Sequence, residues 1–372
     1  MIGKPSFRLK KNLSTYNLFQ VIFLISAGLP VFLLIKGLRN VNFYSILVWG
    51  FSLFLLLYLF VLTLFKDKYL AYTLIIPAVS ILFLVSIYPF VYSLRASFFA
   101  VSGINLRRTW PFIGLRNYIS LFSDSLFWTV LIRTTEYLAL AVTIELFAGL
   151  AMAILFSKVR RIFLSVFIIP MMIAPIVTGL LWKSMFNLEN GFINKLLGYA
   201  GFSDVPWLTY KVLPIFSFLP QPYKHLAQNL NMTYGFFSIL IPDIWQWTPL
   251  VALFLLAGIK SLPEKVFESA QMDGAGAWQT FRYITIPLLK PIITVTILIR
   301  MIDVLKVYEP IWAMFRTGIG VRTLNMQLTT YLFRTHDFGK GSALSIVVLL
   351  LVSIIITVFH RILYRRKETF HR

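Results

Sequence analysis

The sequence predicts an all-α, polytopic membrane protein of about eight transmembrane helices with both termini on the cytoplasmic side. Three observations carry that expectation. The 372 residues are 58% hydrophobic and only 13% charged, whereas a soluble domain runs closer to ~45–50% apolar and ~25% charged. Several apolar runs reach or exceed the roughly 18 residues that a helix needs to cross a bilayer. Lys and Arg crowd the shortest connectors and the two ends, which is the pattern that marks the cytoplasmic side.

Taken in order, the apolar segments fall at 17–37, 43–65, 71–94, 129–156, 162–185, 236–258, 284–307 and 342–363. The first follows Lys4, Arg8, Lys10 and Lys11, as the core of a signal peptide would. Its apolar run is too long for one and has no small-x-small cleavage site, so it reads as a retained helix. Residues 1–69 therefore hold an N-terminal pair of helices, 70–365 the remaining spans, and 366–372 a basic cytoplasmic tail. Lys158, Arg160 and Arg161 share one tight turn, and Arg361, Arg365, Arg366 and Lys367 crowd the end of the chain. The cytoplasmic pieces are then 1–16, 66–70, 157–161, 259–283 and the tail. On the other side Arg107, Arg108, Arg116, Lys195, Lys211 and Lys224 are spread over the long loops 95–128, 186–235 and 308–341. The middle loop combines Pro206, Pro214, Pro220 and Pro222 with Trp207, Tyr210 and Phe216, an aromatic content too high for disorder.

The sixth segment contains Asp243-Ile-Trp-Gln-Trp-Thr-Pro249. Trp245 and Trp247 read as an aromatic belt at an outer helix start. They could also stack on a sugar ring, with Asp243, Gln246 and Thr248 binding hydroxyls.

Between the sixth and seventh segments lies a polar stretch of about thirty residues, far longer than two antiparallel helices need. Ser261-Leu262-Pro263-Glu264 has the form of a capping box, with Pro in the first turn. A short helix can run to Met272 and close at Gly274 in the left-handed conformation. Val266, Phe267 and Ala270 share its apolar face, with Glu264, Lys265 and Glu268 at the edge. A small helix of this kind, with small residues at its end and an exposed carboxylate, suits insertion into a cleft on another protein. The alternative is an amphipathic helix lying on lipid, but the basic face such helices use is missing. Pro287 and Pro291 then start the seventh segment without breaking its middle. Within that segment Arg300, Asp303, Lys306 and Glu309 recur every three residues, a stripe able to neutralise itself through i, i+3 pairs. Charges in a span normally face a bundle interior or a water-filled cavity. The stripe is either a polar wall of a translocation path or, from Lys306 onward, interfacial.

Composition also excludes classes. A net charge of +21 suggests nucleic acid in a soluble protein, yet the basic residues here follow membrane topology. There are no cysteines, and His225, His336, His360 and His371 are too scattered for a metal site. No cofactor is expected.

The stretch from Ser261 to Pro291 closely resembles the cytoplasmic loop of ABC importer permeases, whose pattern is Glu-Ala-Ala, three residues, Gly, then Ile-x-x-Pro. The matching positions are Glu268, Ser269, Ala270, Asp273, Gly274, Ile284 and Pro287, with Ser269 in place of the middle Ala. Ile113-Gly-Leu-Arg-Asn-Tyr118, Ile169-Pro-Met-Met-Ile-Ala-Pro175, Leu181-Trp-Lys-Ser-Met-Phe-Asn187 and Asp243 through Leu250 are similar to the carbohydrate-type permeases, of the maltose or multiple-sugar kind. So is the Arg300-x-x-Asp303-x-x-Lys306 pattern. The resemblance spans about 70–365, with the extra N-terminal pair similar to the larger permease subunit of the maltose importer, without its large outer domain. Arg316-Thr-Gly-Ile-Gly-Val321 stands where family members often have a Gly-rich run ending in Pro.

The resemblance implies a six-helix permease core with a coupling loop at 260–285. Its expected partners are a second related permease, two copies of an ATPase subunit, an extracytoplasmic solute-binding protein and membrane lipid. ATP hydrolysis belongs to the separate subunit, because Gly339-Lys340-Gly341-Ser342 lacks the upstream Gly of a phosphate-binding loop. The expected cargo is a sugar or oligosaccharide, with glycerol-phosphate or another polyol as the near alternative. The path residues expected are Asp243, Trp245, Trp247, Arg300, Asp303 and Lys306. An ion-coupled secondary transporter leaves the long polar loop unexplained. A membrane-embedded transferase lacks the clustered carboxylates it would need.

Overall fold

Long apolar stretches without caps or breakers become long helices, and this chain follows that rule except where prolines interrupt it. The computed structural model describes residues 70–105, 109–157, 161–213, 232–316, 318 and 320–364. The two spans expected at 17–37 and 43–65, Lys158 and Arg160 of the basic turn, and the 366–372 tail lie outside the described residues. Among those described there is no strand, only isolated bridges at Phe99–Phe112, Ser102–Asp337 and Val212–Thr233.

The chain divides into two compact units, Met1–Tyr92 and Ser93–Arg372. The described part of the first is the apolar beginning of helix α1 (Leu70–Ser97). In the second, the short α2 (Arg116–Phe122) leads into the 33-residue α3 (Ser125–Ser157). Asn117 fastens that entry by donating through Nδ2 to the carbonyls of Ser97 at 2.8 Å and Phe99 at 3.0 Å.

The fifth segment was expected as one helix over 162–185 and is instead broken. α4 (Arg161–Phe167) passes into a 3₁₀ turn at Ile169–Met172, the chain extends at Ile173 and Ala174, and α5 (Pro175–Met185) begins anew. Pro170 and Pro175 supply the reason, since neither can donate to the preceding turn and Pro175 suits only a helix start. The outer loop beyond it carries α6 (Phe192–Tyr199). Asn194 orders that loop: its side chain accepts from Val205 N at 3.2 Å and Trp207 Nε1 at 3.0 Å, and donates to Val205 O at 3.1 Å.

α7 (Tyr234–Lys260) is capped by Thr233, whose Oγ1 accepts from Phe236 N at 3.3 Å. After the polar connector comes α10 (Ile286–Leu305), 20 residues, or about 30 Å at 1.5 Å per residue. α11 (Glu309–Phe315), α12 (Leu324–Phe333) and α13 (Phe338–Tyr364) complete the described chain. α3, α7 and the Phe338–Phe359 part of α13 are long and apolar enough to cross a membrane.

The core sits where α3, α5, α7, α10 and α11 converge, around Tyr137, Val142, Phe186, Ile239, Val304 and Ile311. A smaller cluster, Ala153, Phe156, Val251 and Leu255 with Ile292 and Ile293, joins α3, α7 and α10 nearer the polar connector. Lipid is as apolar as these side chains, so helices hold together by close packing rather than by hydrophobic exclusion, and small residues permit it. At Gly149 an added Cβ would lie 2.6 Å from Val251 Cγ1 and 3.1 Å from the Ala252 backbone nitrogen. Gly149→Val is therefore expected to push α3 off α7 and cost about 1–3 kcal/mol. A thermal-shift assay on the detergent-purified protein should show a lower Tm, with Gly149→Ala between; an unchanged Tm in both would contradict the contact.

Candidate functional site

Two regions gather the residues singled out above. The first is the polar connector. α7 stops at Lys260, and α8 (Glu264–Met272) starts after Pro263. The expected capping box does not form: Pro263 is the N-cap residue with no side-chain cap bond. Ser261 Oγ instead donates backward to Gly258 O at 2.8 Å. The same carbonyl accepts from Ser261 N at 3.1 Å, so backbone and side chain of Ser261 together close the end of α7.

The end of α8 forms as expected. Gly274 takes φ +74°, its N–H donates to Gln271 O at 3.0 Å, and Ala275 N donates to Ala270 O at 2.9 Å. Those two bonds are the paired 5→2 and 6→1 bonds of a Schellman cap. Glu268, Ser269, Ala270, Asp273 and Gly274 are thus brought together on one short helix and its stop. Ala270 is buried and Phe267 half-buried, but Val266 is exposed, so the expected three-residue apolar face is split between inside and outside.

The return limb is α9 (Ala277–Thr280), started by Gln279 Oε1 accepting from Gly276 N at 2.8 Å. A π turn at Phe281–Thr285 carries half-buried Ile284 directly into α10, where exposed Pro287 sits in the first turn. The connector leaves Met272 89% exposed, Trp278 71% and Tyr283 73%. These large apolar side chains and Glu268 are all exposed on the same connector.

The second region lies in the helix bundle. Arg300 on α10 is 1% exposed and Glu145 on α3 is 0% exposed. Their side chains meet in two parallel bonds, Nε to Oε2 at 2.7 Å and Nη2 to Oε1 at 2.8 Å, the planar fork-to-carboxylate geometry that Arg alone provides. Arg300 Nη2 also lies 3.5 Å from Oδ2 of buried Asp243 on α7, and its guanidinium sits 5.0 Å from the Trp247 ring. The stripe expected to neutralise itself along α10 therefore does not. Asp303 is 3.9 Å from Arg300 and part-exposed, a distant third partner. Helix α10 ends at Leu305, with Lys306 as its exposed C-cap residue and Glu309 opening α11, so the last two charges have left the span. Glu145 takes the Nε–Nη2 edge of the guanidinium and Asp243 also lies at Nη2, whereas Asp303 of the same helix faces Nη1 only at 3.9 Å. Glu145 was missed from sequence, although an acid in the apolar run that follows Glu136 of the same helix is itself a signal.

Trp245 and Trp247 also require correction as an outer belt: α7 begins at Tyr234, so both lie near its middle. Trp245 packs edge-on to Trp182 of α5 at 5.7 Å. One residue on, Gln246 Nε2 donates to Ile173 O at 2.7 Å, satisfying a carbonyl freed by the helix break. Around this contact three buried polar atoms have no partner among the described residues: Thr178 Oγ1, Trp182 Nε1 and Thr248 Oγ1. Elsewhere helical threonines donate to the carbonyl four residues back, as Thr134, Thr294 and Thr296 do. Thr178 and Trp182 share a face of α5, and Trp245 and Thr248 share a face of α7, by their i, i+4 and i, i+3 spacing. Leaving a buried polar group unpaired costs about 1–3 kcal/mol, so three at one helix contact are a costly concentration. Pro249 adds an acceptor there, since it cannot donate to the carbonyl of Trp245.

Known proteins are similar to this chain over most of its length. Residues 145–369 match the family described as binding-protein-dependent transport system inner membrane component. The trehalose/maltose transport system permease protein MalF of Thermococcus litoralis is 30% identical over 292 residues, 77% of this chain and 91% of that protein. The sulfoquinovosyl glycerol transport system permease protein SmoG of Agrobacterium fabrum is 31% identical over 305 residues, 80% of this chain and 91% of that one. Among solved structures, a chain of a bacterial ABC transporter involved in import of the acidic polysaccharide alginate superposes with a TM-score of 0.66 at 21% identity, covering 81% of this chain and 97% of that chain. That likeness is one of fold.

Proposed function

Because the chain belongs to the family of inner membrane components of binding-protein-dependent transport systems, we propose that it is the permease subunit of an ABC importer that moves a sugar or oligosaccharide across the cytoplasmic membrane. Six spans form the core: α1, α3, the broken segment 161–185, α7, α10 and α13. Two further helices precede them, and both termini lie inside. A second permease, two ATPase subunits and an external solute-binding protein complete the machine.

The observation that carries the cargo class is the set of orphaned polar atoms on Thr178, Trp182 and Thr248 beside the Trp182–Trp245 contact. Indole faces suit the apolar C–H faces of a sugar ring, and the unpaired hydroxyls and N–H suit its hydroxyls. The relatives named for trehalose, maltose and sulfoquinovosyl glycerol support the same class.

The drive enters at α8, a short helix stopped by a rigid cap and bearing exposed Glu268. Closure of the ATPase pair moves α8, and the α9 limb passes that motion to the start of α10. Arg300 bolts α10 to Glu145 of α3 and Asp243 of α7, so these three helices move as a body. Trp182 on the broken segment meets that body at Trp245. Relative motion there opens the sugar contact to one side and then the other. On this account Asp303, Trp245 and Lys306 border the path, while Arg300, Asp243 and Trp247 hold its wall.

Proteoliposomes containing the assembled complex provide the test. Labelled oligosaccharide should enter only with ATP and binding protein present. Trp182→Phe keeps an aromatic ring and removes the N–H, and is expected to raise the KM for uptake about tenfold, the value of one lost hydrogen bond to a sugar hydroxyl. Uptake that follows a proton gradient without ATP would overturn the reading.

A further inference from the structure

At the end of α10 opposite the α8 connector, α11 and α12 enclose an open cleft of about 90 Å³, room for roughly six ordered waters. Its lining is of a different kind from the mid-helix contact. Tyr308, Trp312 and Phe333 supply flat rings, and Arg316 and Arg334 supply two guanidinium groups. Among the described residues no carboxylate is paired with Arg316 or Arg334 within ion-pair distance. Arg316 lies 5.6 Å over the Trp312 ring, held there from a backbone at φ +54°, a region that side-chain-bearing residues rarely adopt. Phe333, next to Arg334, is 72% exposed. Thr329 Oγ1 donates to Asn325 O at 2.7 Å, so its hydroxyl presents only lone pairs to the cleft.

We propose that this cleft binds an acidic sugar unit, with its carboxylate or sulfonate oxygens on Arg316 and Arg334, its ring against Phe333 and a ring hydroxyl donated to Thr329. Arg316 and Arg334 are both exposed, so two like charges on one small cleft draw an anion to it from solution, and guanidinium forks match oxyanions in geometry as well as charge. Exposed aromatic surface beside them selects a ring-bearing anion over a bare ion. The inference rests on the importer reading and narrows its cargo to chains carrying acidic units. A phospholipid headgroup phosphate offers the same oxyanion chemistry, so the test separates the two sources.

The probe is trigalacturonate, with neutral maltotriose as the comparison, titrated by calorimetry against the purified full chain in phosphatidylcholine nanodiscs. Trigalacturonate is expected to bind with an affinity that falls with added salt. Arg316→Gln and Arg334→Gln should each weaken it about tenfold, one charge-assisted contact apiece, and Arg334→Lys should weaken it less. Maltotriose affinity should not change in any of them. Equal trigalacturonate affinity in the Arg316→Gln, Arg334→Gln double variant overturns the site. So does failure of trigalacturonate to bind while native mass spectrometry finds phosphatidylglycerol retained by the wild type and lost from the double variant, which would assign the cleft to lipid. If Arg-dependent trigalacturonate binding is seen but the assembled complex takes up no sugar with ATP, the importer reading fails and the cleft stands.

Discussion

Arg300→Met is expected to produce the largest loss of stability of any single substitution in the described bundle. Glu145 and Asp243 are both buried, and both rely on this guanidinium. Removing one member of a buried pair leaves an uncompensated charge and costs about 3–5 kcal/mol, a large share of the ~5–15 kcal/mol that holds a typical protein folded. The variant should insert but melt well below the wild type in detergent and fail to assemble with its partners. Glu145→Gln should be milder, because Arg300 keeps Asp243 at 3.5 Å and the Trp247 ring at 5.0 Å. The double variant Glu145→Gln, Arg300→Gln replaces the ion pair by neutral amides that can bond each other, and should recover part of the Tm lost in Arg300→Met. If Arg300→Met melts with the wild type, the buried pair is not the bolt described above.

That cluster also shows which parts of the molecule the sequence could reveal. Span positions were legible because they depend only on run length and composition: 236–258 became Tyr234–Lys260 and 342–363 became Phe338–Tyr364. The stop of α8 was legible because Gly274 answers a local need. Partner choice was not. Arg300 is three residues from Asp303 but takes Glu145, 155 positions away, and no spacing rule sees across helices. The broken segment at 162–185 was missed because its hydropathy is continuous; Pro170 and Pro175 stood in plain view, but prolines in spans are tolerated often enough that they do not announce a break. Thr248 was named from the sequence as a candidate for binding hydroxyls, but Thr178 was not, since a threonine in a helix ordinarily serves its own backbone and only coordinates show that these two do not.

Gly274→Asp is expected to abolish ligand-stimulated ATP hydrolysis by the assembled complex while leaving the chain itself folded. The separation follows from the geometry. At φ +74° a side chain costs about 1–2 kcal/mol, and Asp tolerates this region better than most residues. A Cβ built on Gly274 meets nothing within 4 Å, so the isolated permease has no clash to resolve, and the Schellman bonds from Gly274 N and Ala275 N can persist. Yield, insertion and Tm should therefore stay close to wild type. The defect arises where the ATPase subunit approaches: a carboxylate now stands at the stop of α8, beside Glu268 and Asp273, where the partner's surface must close on small residues. Loss of a central contact of this kind is worth ~2 kcal/mol or more, so stimulated turnover should fall by at least ~30-fold. Gly201→Asp supplies the control, because Gly201 has φ +82° and equally open space but lies in the loop that follows α6, far along the chain from the connector. It carries the same backbone cost and should leave stimulated turnover unchanged. Equal loss in both variants would trace the effect to strained backbone rather than to docking, and normal turnover in Gly274→Asp would remove α8 from the coupling path.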